Sequence, residues 1–512
     1  MKLIYNVSDK PKFKSVIVFA FQQLLAIMAA TIAVPAIVGN GMTASAALFG
    51  AGIGTIVYQL FTKFRSPVFL GSSFAFLGSM FAAFAGAASM EMGFLGLIIG
   101  AAFAALVYVV IAIIVKAVGV KWISKLMPAV VIGPIVAIIG LSLAGNAVGD
   151  MMKGDVVKSV PAAQIVVVSH EDADYEAKVA EIPEGVVADE NGDYRYVADT
   201  EDYTPAASPL IALVCALVTL FTVILCSTYG KKRLRLIPFI IGILAGYAVA
   251  LVFTLIGNAT GKEALQIIDF TPFKNLAADG VSLKTFISMP DFSFLKAFKA
   301  FKELNPAYIG TIAVAYIPVA FVVFAEHIAD HKNLSSIIEK DLLTDPGLSR
   351  TLLGDGIGSF AGALFGGCPN TTYGESIGCV AITRNASVVS VTGAAILALL
   401  VAFVSPFVAF LDSIPACVMG GVCMTLYGFI AVSGLKMLQP VDLNENRNLF
   451  VASVILIAGV GGLALNFALK GGQSITITSV ACALILGIIT NLMLSKKKRA
   501  EGEEDEPQQV IK

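Results

Sequence analysis

Charge is what this sequence has least of. Of its 512 residues only 14% are Asp, Glu, Lys or Arg, against 57% hydrophobic. A soluble chain cannot cover that much apolar surface with so thin a polar shell, and the mean hydropathy of +0.84 points to a bilayer as solvent. Basic residues form no aromatic-interleaved patch, which excludes a nucleic-acid binder. Histidine is nearly absent: His170, His327 and His331 are the three. The last two stand in E-H-x-x-x-H rather than the H-E-x-x-H of a zinc hydrolase, so no metal is expected. The seven cysteines, Cys215, Cys226, Cys368, Cys379, Cys417, Cys423 and Cys482, all lie in or beside apolar runs and read as packing residues. A phosphate-binding loop is also missing. Its nearest approach, Gly257 to Lys262 followed by Glu263, has the wrong spacing, so ATP-driven transport is not indicated.

What the chain has instead is a series of apolar windows of the roughly 20 residues a spanning helix needs. They fall near 15–36, 44–62, 67–86, 92–115, 127–148, 208–228, 236–257, 307–329, 353–367, 369–385, 387–411, 413–435, 448–468 and 473–495. The first, from about Val16, lacks a small-residue cleavage signal and is expected to be retained. Lys and Arg collect in alternate short loops: Lys63 and Arg65; Lys116, Lys121 and Lys125; Lys231 to Arg235; Lys332, Lys340 and Arg350; Arg384; Lys436; and Lys496 to Arg499. By the positive-inside rule these are cytoplasmic, as are both chain ends. Two long insertions then fall outside. Asp150 to Tyr203 holds fourteen acids against four bases, and its Ala-Gln-Ile-Val-Val-Val and Tyr-Arg-Tyr-Val stretches predict short strands. It reads as a solvated lid, with cation binding as the lesser alternative. In 257–306, Phe292, Phe294, Phe298 and Phe301 predict an amphipathic connection along the outer interface.

Fourteen spans divide into seven and seven, and an odd number per half makes any repeat an inverted one. The third span of each half, RSPVFLGSSFAF and GGCPNTTYGESIG, is rich in small and turn-forming residues. Interrupted segments at matching positions of two halves point to a transporter's binding site, because extended backbone at membrane depth survives only where protein or a cavity satisfies it.

Acids inside spans are costly and usually functional. Glu91 and Asp412 sit at span edges. Deep ones are Glu326, in FVVFAEHIADH, and Glu375, after PNTTYG. His327 and His331 share a helix face, whereas His331 stands roughly 140° from Glu326; a cation complementing a helix end is the plain reading of the two histidines. For Glu375 the plain reading is an acid that ties helices together. Against it, Thr371 and Thr372 favour extended backbone, and a helix beginning near Gly374 presents free NH groups beside the carboxylate. Acceptor and donors side by side suit a flat ligand with alternating NH and CO edges. Gly71-Ser72-Ser73-Phe74 offers a similar backbone, with Phe74 as a ring neighbour. A carboxylate in such a pocket can exchange a proton, which suggests proton coupling.

PNTTYGESIGCVAITR, AEHIADH, DPGLSR, GSSFAF and VMGGVCMTLYGFIAVSG together resemble the nucleobase–ascorbate (uracil/xanthine permease) family over nearly the whole chain except the acidic insertion. The resemblance implies an all-α polytopic fold of fourteen segments in two inverted repeats, with segments 3 and 10 partly extended. Segments 1–4 and 8–11 would form a core domain and segments 5–7 and 12–14 a gate domain. The boundaries read 15–148 for segments 1–5, 149–207 for the acidic insertion, 208–257 for segments 6–7, 258–306 for the outer connection, 307–411 for segments 8–11, 412–495 for segments 12–14 and 496–512 for a cytoplasmic tail. It also implies proton symport of a nucleobase across the plasma membrane, uracil before xanthine or another purine, with no cofactor and with a homodimer suggested. An anion carrier or other solute carrier of the same architecture, a channel and a membrane enzyme are the alternatives. Carried over by position, Glu326 binds the base, Gly374 donates its NH, Glu375 is the second carboxylate beside Tyr373, and Phe74 is the third-segment aromatic. Glu326, His331 and Glu375 couple protons, and Ala30 and Tyr427 line the path. Two positions depart from the pattern: Gln22-Gln23 replaces a Gln-His pair, and Ser376 replaces an Asn.

Overall fold

A helix begins within a few residues of nearly every apolar window. The computed structural model describes residues 3–119, 122, 128–168, 194–231, 234, 237–278, 280–468 and 474–495. In chain order the main helices are α1 (Phe13–Val38), α2 (Ala44–Phe61), α3 (Leu77–Ala85), α4 (Met90–Val118) and α5 (Ala129–Ser142, continued by Ala144–Asp150). They continue with α6 (Pro209–Tyr229), α7 (Pro238–Thr260), α8 (Pro306–Ile338), α9 (Leu348–Gly366) and α10 (Gly374–Thr383). The last are α11 (Val388–Val401), α12 (Ala416–Met437), α13 (Asn446–Val460) and α14 (Ser479–Ser495). Among the described residues, 8 helices are long and apolar enough to cross a membrane. Local chemistry sets their starts. Proline opens α6, α7 and α8, where its missing NH costs nothing, and the Asn305 side chain caps α8 by accepting from Tyr308 N at 2.9 Å.

Extended backbone appears where the third and tenth windows are rich in small residues. Strand β1 (Leu70–Ser72) pairs antiparallel with β4 (Asn370–Thr372), Gly71 facing Thr371. Two strands of three residues satisfy each other's ladder groups in the middle of the protein, as burial at this depth requires. The Asn370 side chain adds a hydrogen bond to Gly50 O at 3.0 Å, tying β4 to α2. Helices α2 and α9 touch backbone to backbone here, and a Cβ on Gly50 would collide with the Gly362 carbonyl; such close approach is what small residues allow between membrane helices.

Three expectations change in detail. The strands of the acidic insertion are long: β2 (Val157–Val168) and β3 (Tyr194–Pro205) form one antiparallel hairpin, while the acidic stretch between them, with His170, lies outside the described residues. The tail 496–512 and several loop bases also lie outside them. The 448–468 and 473–495 windows are not helical throughout. Gly461 and Gly462, the latter at φ 71°, end α13, and β5 (Leu465–Ala468) pairs with β6 (Ser474–Ile477) before α14. Of the four interfacial phenylalanines, Phe298 and Phe301 are exposed as an interfacial helix needs, but Phe292 is buried against Phe49 and Phe365. Its ring fills a gap between α2 and α9 instead of facing lipid.

The helices pack in two groups. In one, α2 and α4 pack on α9, α4 on α8, and α11 on α1 and α2. In the other, α12 packs on α5 and α6, α6 on α7, and α13 on α5 and α14. Between them run fewer contacts, from α8 to α5, α14 and β6, and from α1 to α7 and α12. On the face that carries the basic loops, the Asp345 carboxylate bridges Arg65 at 3.1 Å and Lys340 at 2.9 Å. Its bonds to Lys340 and Arg65 hold it below the usual carboxylate range.

Candidate transport site

Helix α10 begins at Gly374, directly after strand β4, so its first turn opens into the protein interior with its NH groups unused by the helix itself. Nothing lies within 4 Å of where a Gly374 Cβ would be, and Gly374 is exposed in an otherwise buried segment. The exposed surface belongs to a cavity of about 400 Å³ between the two helix groups. Phe74 and Ala75 line it from the turn after β1, Glu326 and Asp330 from α8, and Tyr373 to Glu375 from the start of α10. From α5, α7 and α12 come apolar side chains, Val136, Phe239 and Phe429 among them. The cavity extends toward Ile382 and Met437, beside Arg384 and Lys436 on the basic face.

The walls are braced from behind. Tyr373 turns its ring against the Gly71 backbone, where any Cβ would collide with it, and its hydroxyl donates to Ser72 O at 2.7 Å. That bond crosses from one half of the chain to the other. Phe74 meets Tyr427 edge to face with ring centroids 5.8 Å apart, joining the two helix groups beside the cavity. Thr372 Oγ1 donates to Asp330 Oδ2 at 2.6 Å. Ser376, in the first turn of α10, accepts from Gln23 Nε2 at 2.6 Å and from Phe69 N at 3.4 Å. The Glu326 and Glu375 carboxylates accept no hydrogen bond from another described side chain, though the backbone NH of Glu375 bonds its own carboxylate, and both residues line the cavity.

The structure brings Glu326, Phe74, Tyr373, Gly374 and Glu375 together around one cavity. It does not bring His331 there. His331 is fully buried on the far side of α8, with Nε2 2.7 Å from Tyr58 OH and Nδ1 2.8 Å from His327 O. Helix geometry is the reason: five steps of about 100° carry His331 off the Glu326 face, while four steps return to it. The residue four steps on is Asp330, absent from the sequence-derived set although the same arithmetic pointed to it. Ala30 is buried inside α1, and Ala26, one turn earlier, is the α1 residue on the cavity wall. Tyr427 stands beside the site in contact with Phe74; Leu426, Phe429, Ile430, Ser433 and Met437 form the α12 wall. No group of three or more His, Cys, Asp or Glu able to hold a metal occurs among the described residues.

Helices in two packed groups, two short strands paired in the middle of the protein and an acid-lined cavity between the groups are the frame of a multi-pass membrane protein. Among solved structures the fold is similar to the transmembrane domain of the cyanobacterial bicarbonate transporter BicA, with TM-score 0.56 and 13% identity over 95% of this chain and 100% of that one. It is also similar to SLC26A9, with TM-score 0.57 and 11% identity over 95% of this chain and 66% of that one. The family model described as Permease family, that of xanthine and uracil permeases, matches residues 14–173 and 201–467, and the chain belongs to that family. Its curated relatives include the uracil permease of Bacillus caldolyticus, 36% identical over 98% of this chain and 96% of the relative. The uracil permease of Bacillus subtilis (strain 168) is 35% identical over 99% of both, and that of Escherichia coli (strain K12) is 32% identical over 95% of both.

Proposed function

We propose that the chain is a proton-coupled symporter that imports uracil across the plasma membrane by alternating access. The observation that carries this reading is the cavity itself: three carboxylates, Glu326, Asp330 and Glu375, beside the bare NH end of α10 at Gly374 and the ring of Phe74. A uracil ring presents two NH donors and two carbonyl acceptors at its edge and a flat π face. Glu326 and Glu375 accept from the NH groups, the NH at Gly374 meets a carbonyl, and Phe74 covers a face. The full-length similarity to uracil permeases supports the choice of base.

Coupling follows from the charge on the wall. The described residues lining the cavity include three acids and no Lys, Arg or His. With no basic side chain in that lining, uptake of a proton is a way to neutralise these groups, and a proton taken up with the base would make entry and release interdependent. In this reading Asp330, one turn from Glu326 and bonded to Thr372, replaces His331 in the coupling set. Helices α1–α4 and α8–α11 act as the core, α5–α7 and α12–α14 as the gate, and relative rocking opens the cavity to either side. With both chain ends and the basic loops cytoplasmic, the cavity faces inward here. The proton gradient drives the cycle without a cofactor.

A purine base, xanthine first, is the competing reading, favoured by the size of the cavity and by a family that includes xanthine permeases. A competition panel decides between them. Labelled uracil uptake in a transport-deficient host should be displaced by unlabelled uracil and not by xanthine, hypoxanthine, guanine or ascorbate. Displacement by xanthine at lower concentration than uracil would transfer the assignment to the purine reading.

A further inference from the structure

Behind the cavity wall, on the opposite side of α8, a continuous chain of buried polar groups runs from α9 to α2. His327 Nδ1 lies 2.6 Å from Asp355 Oδ2, and its Nε2 lies 3.0 Å from Thr351 Oγ1. Asp355 and Thr351 stand one turn apart on α9, so that helix holds both ring nitrogens. His327 O accepts from His331 Nδ1 at 2.8 Å, and the two rings stack with centroids 4.0 Å apart. His331 Nε2 lies 2.7 Å from Tyr58 OH, and Tyr58 OH lies 2.8 Å from Ser66 Oγ. His327, His331, Tyr58, Thr351 and Asp355 are each at most 1% exposed.

The order of residues on α8 gives this chain its meaning. Glu326 is followed at once by His327, and Asp330 by His331. Each acid therefore faces the cavity while the residue after it faces the interior, and the pattern repeats one turn later. We propose that His327 and Asp355 are positioning residues. Their buried pair, continued through His331 to Tyr58, sets the rotation and height of α8 so that Glu326 and Asp330 point into the cavity. The inference rests on the uracil-transport reading. Neither His327 nor Asp355 touches the base.

The physical basis is the cost of leaving such groups unpaired. Whichever partner carries the shared proton, removing one leaves a buried ionisable group without its mate, and the helix relieves this by turning or sliding. A helix that turns carries Glu326 with it, and a shift of about 1 Å at an orienting group is enough to impair a site. Charged or titratable groups around the pair are few. Asp355 faces it from α9 and Tyr58 reaches it from α2 through His331. Tyr108 of α4 lies edge-on to His327 at 6.3 Å between centroids, and Glu326, Asp330 and His331 share its own helix.

The test compares His327→Ala, Asp355→Ala, Asp355→Asn, Thr351→Val and the double variant His327→Ala/Asp355→Ala in proteoliposomes, after monodisperse elution confirms folding. Uracil KM, maximal rate and protons moved per uracil are measured for each. Expected for Asp355→Ala is a KM raised roughly tenfold or more, as for loss of a charged buried bond. Asp355→Asn, which keeps an acceptor for the ring, should recover most of it. The double variant should be no worse than the worse single one, because both remove the same contact. Protons per uracil and the pH profile of uptake should stay as in the parent chain. Should Asp355→Ala fail to fold, Thr351→Val still carries the test, with KM expected to rise about threefold. A parental KM in Asp355→Ala, or in Thr351→Val when it stands alone, overturns the proposal. So does an altered pH profile or proton count in Asp355→Asn, which would place the pair in the proton path. If the parent chain itself transports no uracil, it is the transport reading that fails.

Discussion

Gln23 of α1 donates from Nε2 to Ser376 Oγ of α10 at 2.6 Å, inside the protein and next to the Glu375 carboxylate. At these two positions the family resemblance of the sequence implies a histidine and an asparagine instead. The structure places the replacements in contact, so the departure is one exchanged pair rather than two separate losses. Ser376→Ala removes a buried neutral bond worth about 1 kcal/mol, so uracil KM should rise about fivefold. Gln23→His and Ser376→Asn should each be harmful alone and largely compensate when combined. A double-mutant cycle on KM measures this, and strictly additive effects would show that the pair is not coupled.

Glu326 and Glu375 line the cavity without a hydrogen bond from another described side chain, and the backbone NH of Glu375 bonds its own carboxylate, which leaves acceptor sites on both groups for a ligand. Glu326→Gln and Glu375→Gln should each weaken uracil binding by roughly 10- to 100-fold, the range for a hydrogen bond to a charged group. Calorimetric titration of the purified variants reads this directly. Unchanged affinity in both would remove these carboxylates from the base site.

Asp330 and His331 are sequence neighbours with opposite surroundings, one on the cavity wall and the other sealed against Tyr58. Asp330→Asn should abolish accumulation driven by a proton gradient while leaving exchange of internal for external uracil. His331→Gln should keep accumulation and change mainly KM or thermal stability. The reverse pattern would return the coupling role to the histidine.

Which parts of this were legible in the residues, and which were not, has a physical basis. Apolar windows and loop charge report solvent, so helix positions and the two irregular segments came through. Composition marks 67–86 and 353–385 as unusual, and the β1–β4 pairing is the form that oddity takes. Gly374 was readable because a helix start leaves NH groups free. Residue type alone does not separate Asp330 from His331 beside it, since both can exchange a proton; helical spacing from Glu326 favours the aspartate. The Gln23–Ser376 contact spans 353 residues of chain, and no single-sequence periodicity reports such a pairing.

Outside the membrane-spanning helices, burial pushes the Asp155 carboxyl up to about 6, with the nearby Asp269 and Asp150 adding to it and a hydrogen bond from Ala416 N opposing it. Asp155 Oδ1 accepts from Ala416 N at 2.9 Å and so holds the start of α12. A carboxyl whose folded-state pKa lies above its unfolded value keeps more protons when folded, so stability falls as pH rises between about 4 and 6 and stays reduced above that. Asp155→Asn retains the oxygen acceptor without the charge. Its thermal midpoint in detergent should exceed the parent's at pH 7.5, and the difference should shrink toward pH 5. A midpoint lower than the parent's at both pH values would show that the charge itself is needed there.

The central claim is that this acid-lined cavity moves uracil with protons. Purified protein in proteoliposomes, with an acidic exterior and no ATP, tests it most directly. The account predicts accumulation of labelled uracil above its external concentration, collapse of that accumulation on adding a protonophore, and loss of uptake in Glu326→Ala and Glu375→Ala. Accumulation that survives the protonophore, or full proton-driven uptake in either variant, would contradict it.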